Sequence, residues 1–197
     1  MRISLIVTDA GPLITLAIAG ALDTLLLLNV PVIVPDMVEY EVVSHADKPG
    51  AREVMSWLEL HRDRVEIGAT EVFDEFLALL ALRPGLRSRG RGEQAAGEIL
   101  ARELLNKVDV AILLFEDSAL RKTNFLQRMP DNVLLMSTSA FLLGLERRGL
   151  LDDADAILQR AVATRGPELA RNDLRATTGA EDARRRWLST LTPVNEP

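Results

Sequence analysis

Ile3-Ser-Leu-Ile-Val-Thr-Asp-Ala-Gly-Pro-Leu-Ile14 decides how the rest of the chain is read. A short apolar run rich in β-branched residues ends on Thr8 and Asp9. Gly11 and Pro12 mark a turn, and a strongly apolar run extends from Leu13 to Leu28. That order reads as a buried strand, a tight turn and a helix, with a carboxylate at the strand's carboxyl end. In open α/β sheets ligands bind outside that edge. An Asp before a helix is also an ordinary cap, so the question is whether other carboxylates reach the same edge.

Composition narrows the chemistry. The chain has 197 residues, enough for one compact domain with a real core. It has no cysteine, which excludes disulfides, thiolate metal sites and cysteine nucleophiles. With only His45 and His61 as histidines, a metal would sit among oxygen ligands, which favours Mg²⁺ or Mn²⁺. A net charge of −6 argues against nucleic-acid binding through the whole surface. Arginines nevertheless cluster at Arg83, Arg87, Arg89 and Arg91 and again at Arg184, Arg185 and Arg186, so a local phosphate contact stays open. Gly20 and Asp23 divide the Leu13–Leu28 run into pieces too short to span a bilayer. The single basic residue Arg2 before an interrupted apolar run does not make a signal peptide. The expected location is cytoplasmic, without a membrane.

Strand and helix signals then alternate. Val30-Pro-Val-Ile-Val-Pro35 reads as a second strand, and Asp36 as the cap of a helix bearing Glu41. A helix over about 51–60 places Val54, Met55 and Leu58 on one face. Arg64–Ile67 is a third short strand, and Val72 to Leu82 a further helix. Pro84–Gly92 is a solvated arginine/glycine loop, after which Glu93 opens a helix to about Asn106. Val108–Phe115 is the strongest strand signal, ending in Glu116 and Asp117, and a helix with Leu120, Phe125 and Leu126 follows. Asn132–Met136 is another strand ending in Ser137 and Thr138, with helices at about 139–148 and 152–163, the second capped by Asp152 or Asp153. The predicted fold is α/β, three layers with a central parallel sheet of about four to five strands flanked by helices. Residues 1–165 form the domain and 166–197 a C-terminal helical arm carrying Trp187, Leu188 and Leu191.

All strands of a parallel sheet end on one edge, so Asp9, Asp117 with Glu116, Glu41 and Glu93 converge there from four elements. Singly, each has an ordinary reading as a cap, a dipole partner or a solvated acid. Together they would repel one another unless a divalent cation offsets the charge. Such cations activate water and stabilise the leaving oxygen of a phosphodiester. Ser137 or Thr138 would hold a metal-bound water or a phosphate oxygen, and Thr8 supports Asp9. Arg87, Arg89 and Arg91 either guide a phosphate backbone toward that edge or belong to a solvated loop.

Val7-Thr-Asp-Ala-Gly-Pro-Leu-Ile14, Val34-Pro-Asp-Met-Val-Glu-Tyr-Glu41, Gly92-Glu93, Leu114-Phe-Glu-Asp-Ser-Ala-Leu-Arg121 and Val133-Leu-Leu-Met-Ser-Thr138 resemble PIN-domain proteins in this order over about residues 3–163. The resemblance is strongest to the stand-alone prokaryotic branch related to VapC-type toxins. It implies a Mg²⁺- or Mn²⁺-dependent endoribonuclease, the toxin of a toxin–antitoxin pair, with an antitoxin partner and a homodimeric state. Its catalytic acids map to Asp9, Glu41, Glu93 and Asp117, of which Asp9, Glu93 and Asp117 would ligate metal. Two departures stand out. Glu93 replaces the more usual Asp, and Ala95 stands where many relatives carry a further acid. Glu98, about 140° round the helix from Glu93, is a poor substitute. The competing reading is a catalytically inactive PIN-like binding or assembly module, and a weaker one is a small-molecule phosphohydrolase.

Overall fold

A computed structural model of the chain describes residues 2–105, 109–116 and 130–165. The expected helix with Leu120, Phe125 and Leu126, the acid Asp117, and the arm at 166–197 lie outside the described residues.

Among the described residues, five parallel strands form one sheet: β1 (Ile3–Thr8), β2 (Val32–Pro35), β3 (Val65–Gly68), β4 (Val110–Leu114) and β5 (Val133–Met136), ordered β3-β2-β1-β4-β5. The order places the first strand in the middle, flanked by β2 and β4. Helices cover both faces of the sheet there, so its apolar residues are buried on each side, which is why the run does not alternate. Helices α1 (Ala10–Ile18), α2 (Asp36–Val43), α3 (Ala51–Leu60), α4 (Glu71–Leu82), α5 (Arg91–Leu105), α6 (Thr138–Arg147) and α7 (Ala154–Arg165) complete the layers.

Side-chain alternation splits the core at the sheet. Ile6, Val32, Val34, Ile112, Leu114, Leu134 and Met136 face Leu13 and Leu16 of α1, Val54 and Trp57 of α3, and Phe141 and Leu145 of α6. Leu5, Val7, Ile33, Ala111 and Leu113 face Ala96, Ile99 and Leu100 of α5 on the other side. Gly68 lets that second layer close, since a Cβ there would come within 2.6 Å of Ile99 Cδ1. A satellite cluster of Met37, Phe76 and Ala95 joins α2, α4 and α5.

Four local expectations are corrected. There is no separate turn after Asp9. Helix α1 begins at Ala10 with Pro12 in its first turn, where a missing N–H costs nothing. The Leu13–Leu28 run is not one helix, because α1 stops at Ile18, Gly20 adopts φ +62°, and a short 3-10 turn spans Leu22–Leu26. Asp36 does not sit at the cap position. It is the first helical residue, and its carboxylate accepts from the Thr70 backbone N–H (2.8 Å) and hydroxyl (2.7 Å), tying the start of α4 to β2. In α3 the inward face is Ala51, Val54, Trp57 and Leu58, while Met55 is 39% exposed. Trp57 is fixed there by donating its indole N–H to Asp23 at 2.8 Å. Of the two candidate caps of α7, Asp153 accepts the Ala156 N–H at 2.8 Å.

Candidate acidic active site

Asp9 follows the last residue of the central strand, and its N–H donates to the Leu114 carbonyl at 3.0 Å. This bond fixes the end of β1 against the end of β4, so Glu116, two residues beyond β4, is carried to the same edge. Asp9 occupies the N-cap position of α1 with extended backbone, yet its side chain makes no capping bond to the helix interior. Its carboxylate instead takes the N–H of the next residue, Ala10. The ordinary cap reading does not account for that arrangement.

Burial pushes the Asp9 carboxyl up from 3.8 to about 7. The Ala10 N–H opposes the rise, whereas Glu41, Glu93 and Glu116 add to it. Three acids from α2, α5 and the end of β4 thus act on one carboxylate. Burial also raises Glu41, reinforced by Glu93, while a hydrogen bond from Ser88 and the nearby His45 draw it back. Ser88 belongs to the arginine/glycine loop, so that loop is tied to the acid edge through a serine rather than an arginine.

Gly92 shows how closely the acids approach. A Cβ at this position would lie 3.2 Å from Asp9 Oδ1 and 3.4 Å from Glu41 Oε2. The missing side chain leaves a cradle between two carboxylates. Glu93, in the first turn of α5, follows directly.

Glu116 is held from two directions. The Thr15 hydroxyl donates to Oε2 at 2.7 Å and the Thr138 hydroxyl to Oε1 at 2.5 Å. Gly11, one turn before Thr15 on the same face of α1, has room for no Cβ without crowding Glu116, whose own Cβ would then lie 3.1 Å away. Thr15 and Ser88 were not singled out in the sequence, and Gly11 and Gly92 were read only as a turn residue and as the neighbour of Glu93, because short polar and glycine residues carry little signal until their neighbours are known.

The other expected residues fall as follows. Thr8 is buried and donates to the Asp9 carbonyl at 3.1 Å. Thr138 reaches the site through Glu116, whereas Ser137 caps α6 by accepting the Ala140 N–H at 3.2 Å. Arg91 lies over the Phe76 ring, 5.3 Å from its centroid, while Arg87 and Arg89 are exposed. Glu98 is away from the acids and accepts the Glu71 and Val72 N–H groups at the start of α4. Ala95 is fully buried in the Met37–Phe76 cluster, so its position faces an apolar core and not the acid edge.

Among the described residues, no three acid or histidine side chains form a ready metal-holding group. The donor set nevertheless suits a hard divalent cation. It consists of carboxylates alone, their charges oppose one another, and Gly92 leaves a cradle between two of them. A cavity of about 840 Å³ lies elsewhere, between the starts of β2 and β3 and the helices α2 and α3, and contains none of the four acids. No helix among the described residues is long and apolar enough to cross a membrane.

Residues 5–79 match a family model described as a PIN domain. The match runs from β1 through most of α4 and takes in Asp9 and Glu41. No curated protein and no solved structure matches the chain. Over that stretch the chain is similar to a PIN domain, a fold of nuclease type, and the five-stranded parallel sheet is consistent with such a fold.

Proposed function

We propose that the protein is a Mg²⁺- or Mn²⁺-dependent endoribonuclease that hydrolyses phosphodiester bonds in RNA. The observation that carries this reading is the raised Asp9 carboxyl, with Glu41, Glu93 and Glu116 all contributing to its field. Asp9 and Glu93 would ligate the ion, together with Glu116 or Asp117, and Glu41 would position the water or a second ion. Bound there, the cation supplies a water activated at neutral pH and charge stabilisation for the leaving oxygen. The chain's own part is positional. Thr15 and Thr138 orient Glu116, Ser88 orients Glu41, and Gly92 keeps the space between Asp9 and Glu41 open. Arg87 and Arg89, exposed on the loop, would meet the phosphate backbone.

The family's toxin branch extends this reading to a toxin restrained by an antitoxin and acting as a homodimer. The test is cleavage of single-stranded RNA with Mn²⁺ by the wild type and by Asp9→Asn. Loss of cleavage in the variant with an unchanged fold supports the reading, and full activity in the variant refutes it.

One observation favours the alternative, an inactive binding or assembly module. Both Glu116 oxygens are already engaged by hydroxyls, so that corner is held in place without a cation. Calorimetric titration of Mn²⁺ into the wild type decides between them, with an absence of heat favouring the module.

A further inference from the structure

Between the start of α1, the end of α2 and the entry to α3 lies a second cavity, of about 320 Å³. This is the small end of the range of small-molecule sites, roughly 300–1,000 Å³. Its walls are short and apolar: Ala10, Gly11, Ile14, Val42 and Ala51. Glu41 borders it, and Ala10 adjoins Asp9, so it opens directly beside the acids. Its rim is basic and polar. His45 and Lys48 come from the end of α2 and the turn after it, and Ser88 from the arginine loop. Arg87 and Arg89 stand exposed on either side of Ser88.

A flat heterocycle suits such walls, and an attached phosphate meets two basic side chains at the rim. We propose that this cavity is a subsite for one unstacked nucleobase of an RNA strand, adjoining the phosphate at the acids, with Lys48 and His45 receiving the neighbouring phosphate. The polymer in that statement rests on the nuclease reading; the fit of a nucleoside monophosphate does not. The consequence is selection for single strands, since a base must leave its stack to enter a pocket. The helix start that carries Asp9 therefore also supplies, through Ala10, Gly11 and Ile14, one wall of the recognition site.

The test is methyl-resolved NMR on the full chain in EDTA, titrated with each of the four nucleoside monophosphates. The expected result is saturable shifts at the methyls of Ala10, Ile14, Val42 and Ala51 with at least one nucleotide. Lys48→Ala should weaken that binding about tenfold, or 1.4 kcal/mol, and Ala51→Leu should abolish it by filling the cavity. Where Ala51→Leu lowers the melting temperature, the exposed Lys48 carries the test. Unmoved methyls, or binding indifferent to Lys48→Ala, overturn the subsite even if RNA is cleaved. Nucleotide-dependent shifts without any RNA cleavage leave the subsite standing and remove the nuclease reading.

Discussion

Replacing Asp9 by Asn should stabilise the metal-free protein and destabilise the metal-loaded one relative to wild type. The folded chain holds a proton on Asp9 up to about pH 7, whereas the unfolded chain releases it near 3.8. A raised carboxyl contributes stability that is fully present below 3.8 and is lost as pH climbs to about 7. Above pH 7 the ionised group sits against Glu41, Glu93 and Glu116. The rise from 3.8 to about 7 corresponds to an upper bound on the order of 4 kcal/mol. Asp9 retains partial contact with water, which screens its neighbours, so about 2 kcal/mol is the expected gain in Asp9→Asn at pH 8. For a chain of this size that is about 4–8 °C in melting temperature. The gap should narrow as pH falls toward 5, where the wild-type carboxyl is largely protonated. Saturating Mn²⁺ should reverse the order, since an ion at 100-fold its dissociation constant adds about 2.7 kcal/mol to the wild type alone. Calorimetric melts at pH 5 and pH 8, with and without Mn²⁺, provide the four numbers required. A metal-free Asp9→Asn that melts no higher than wild type at pH 8, or a gap that does not change with pH, refutes the reasoning.

Gly92→Ala separates helix stability from site function: it should gain up to about 1 kcal/mol of helix propensity, yet weaken Mn²⁺ binding at least tenfold by intruding on Asp9 and Glu41. Melting and calorimetric titration of one sample read both effects. Thr15→Val should leave a Glu116 oxygen without its hydroxyl, costing about 1–2 kcal/mol and lowering Mn²⁺ affinity, and Thr15→Ser should restore both. Equal Mn²⁺ affinity in Thr15→Val and wild type would show that Glu116 is held without its help. Glu98→Ala removes the acceptor at the start of α4 and should cost about 1 kcal/mol without changing Mn²⁺ affinity. A fall in affinity would place Glu98 among the acids after all.

The α/β class, the parallel sheet and the strands were readable from the chain, because a strand buried on both faces leaves an unbroken apolar run bounded by prolines, glycines and acids; only the short edge strand β3, with Glu66 exposed, departs from that pattern. The positions of Asp9 and Glu93 were readable too, as carboxylates at a strand end and a helix start of a sheet whose strands all point one way, and Glu41 as an acid further along the helix after β2. Asp36 was harder. From sequence it is an acid before a helix, and only the approach of Thr70 from a segment 34 residues later shows that, besides taking the Met37 N–H of its own helix, its carboxylate ties the start of α4 to β2. Met55 and Trp57 show the same limit: Val54 and Leu58 set the inner face correctly, yet only packing against α1 and the bond to Asp23 decides that Trp57 and not Met55 completes it.

What the sequence by itself determined is the order of elements and the edge on which acids would gather. Periodicity and terminal residues encode both locally. Only the tertiary structure decided which small residues complete that edge. Gly92 between two carboxylates, Gly11 and Thr15 beneath Glu116, and Ser88 beside Glu41 are defined by distances across the sheet's end. The raised Asp9 carboxyl has the same origin, since desolvation and the field of three acids exist only once four separate segments are brought together.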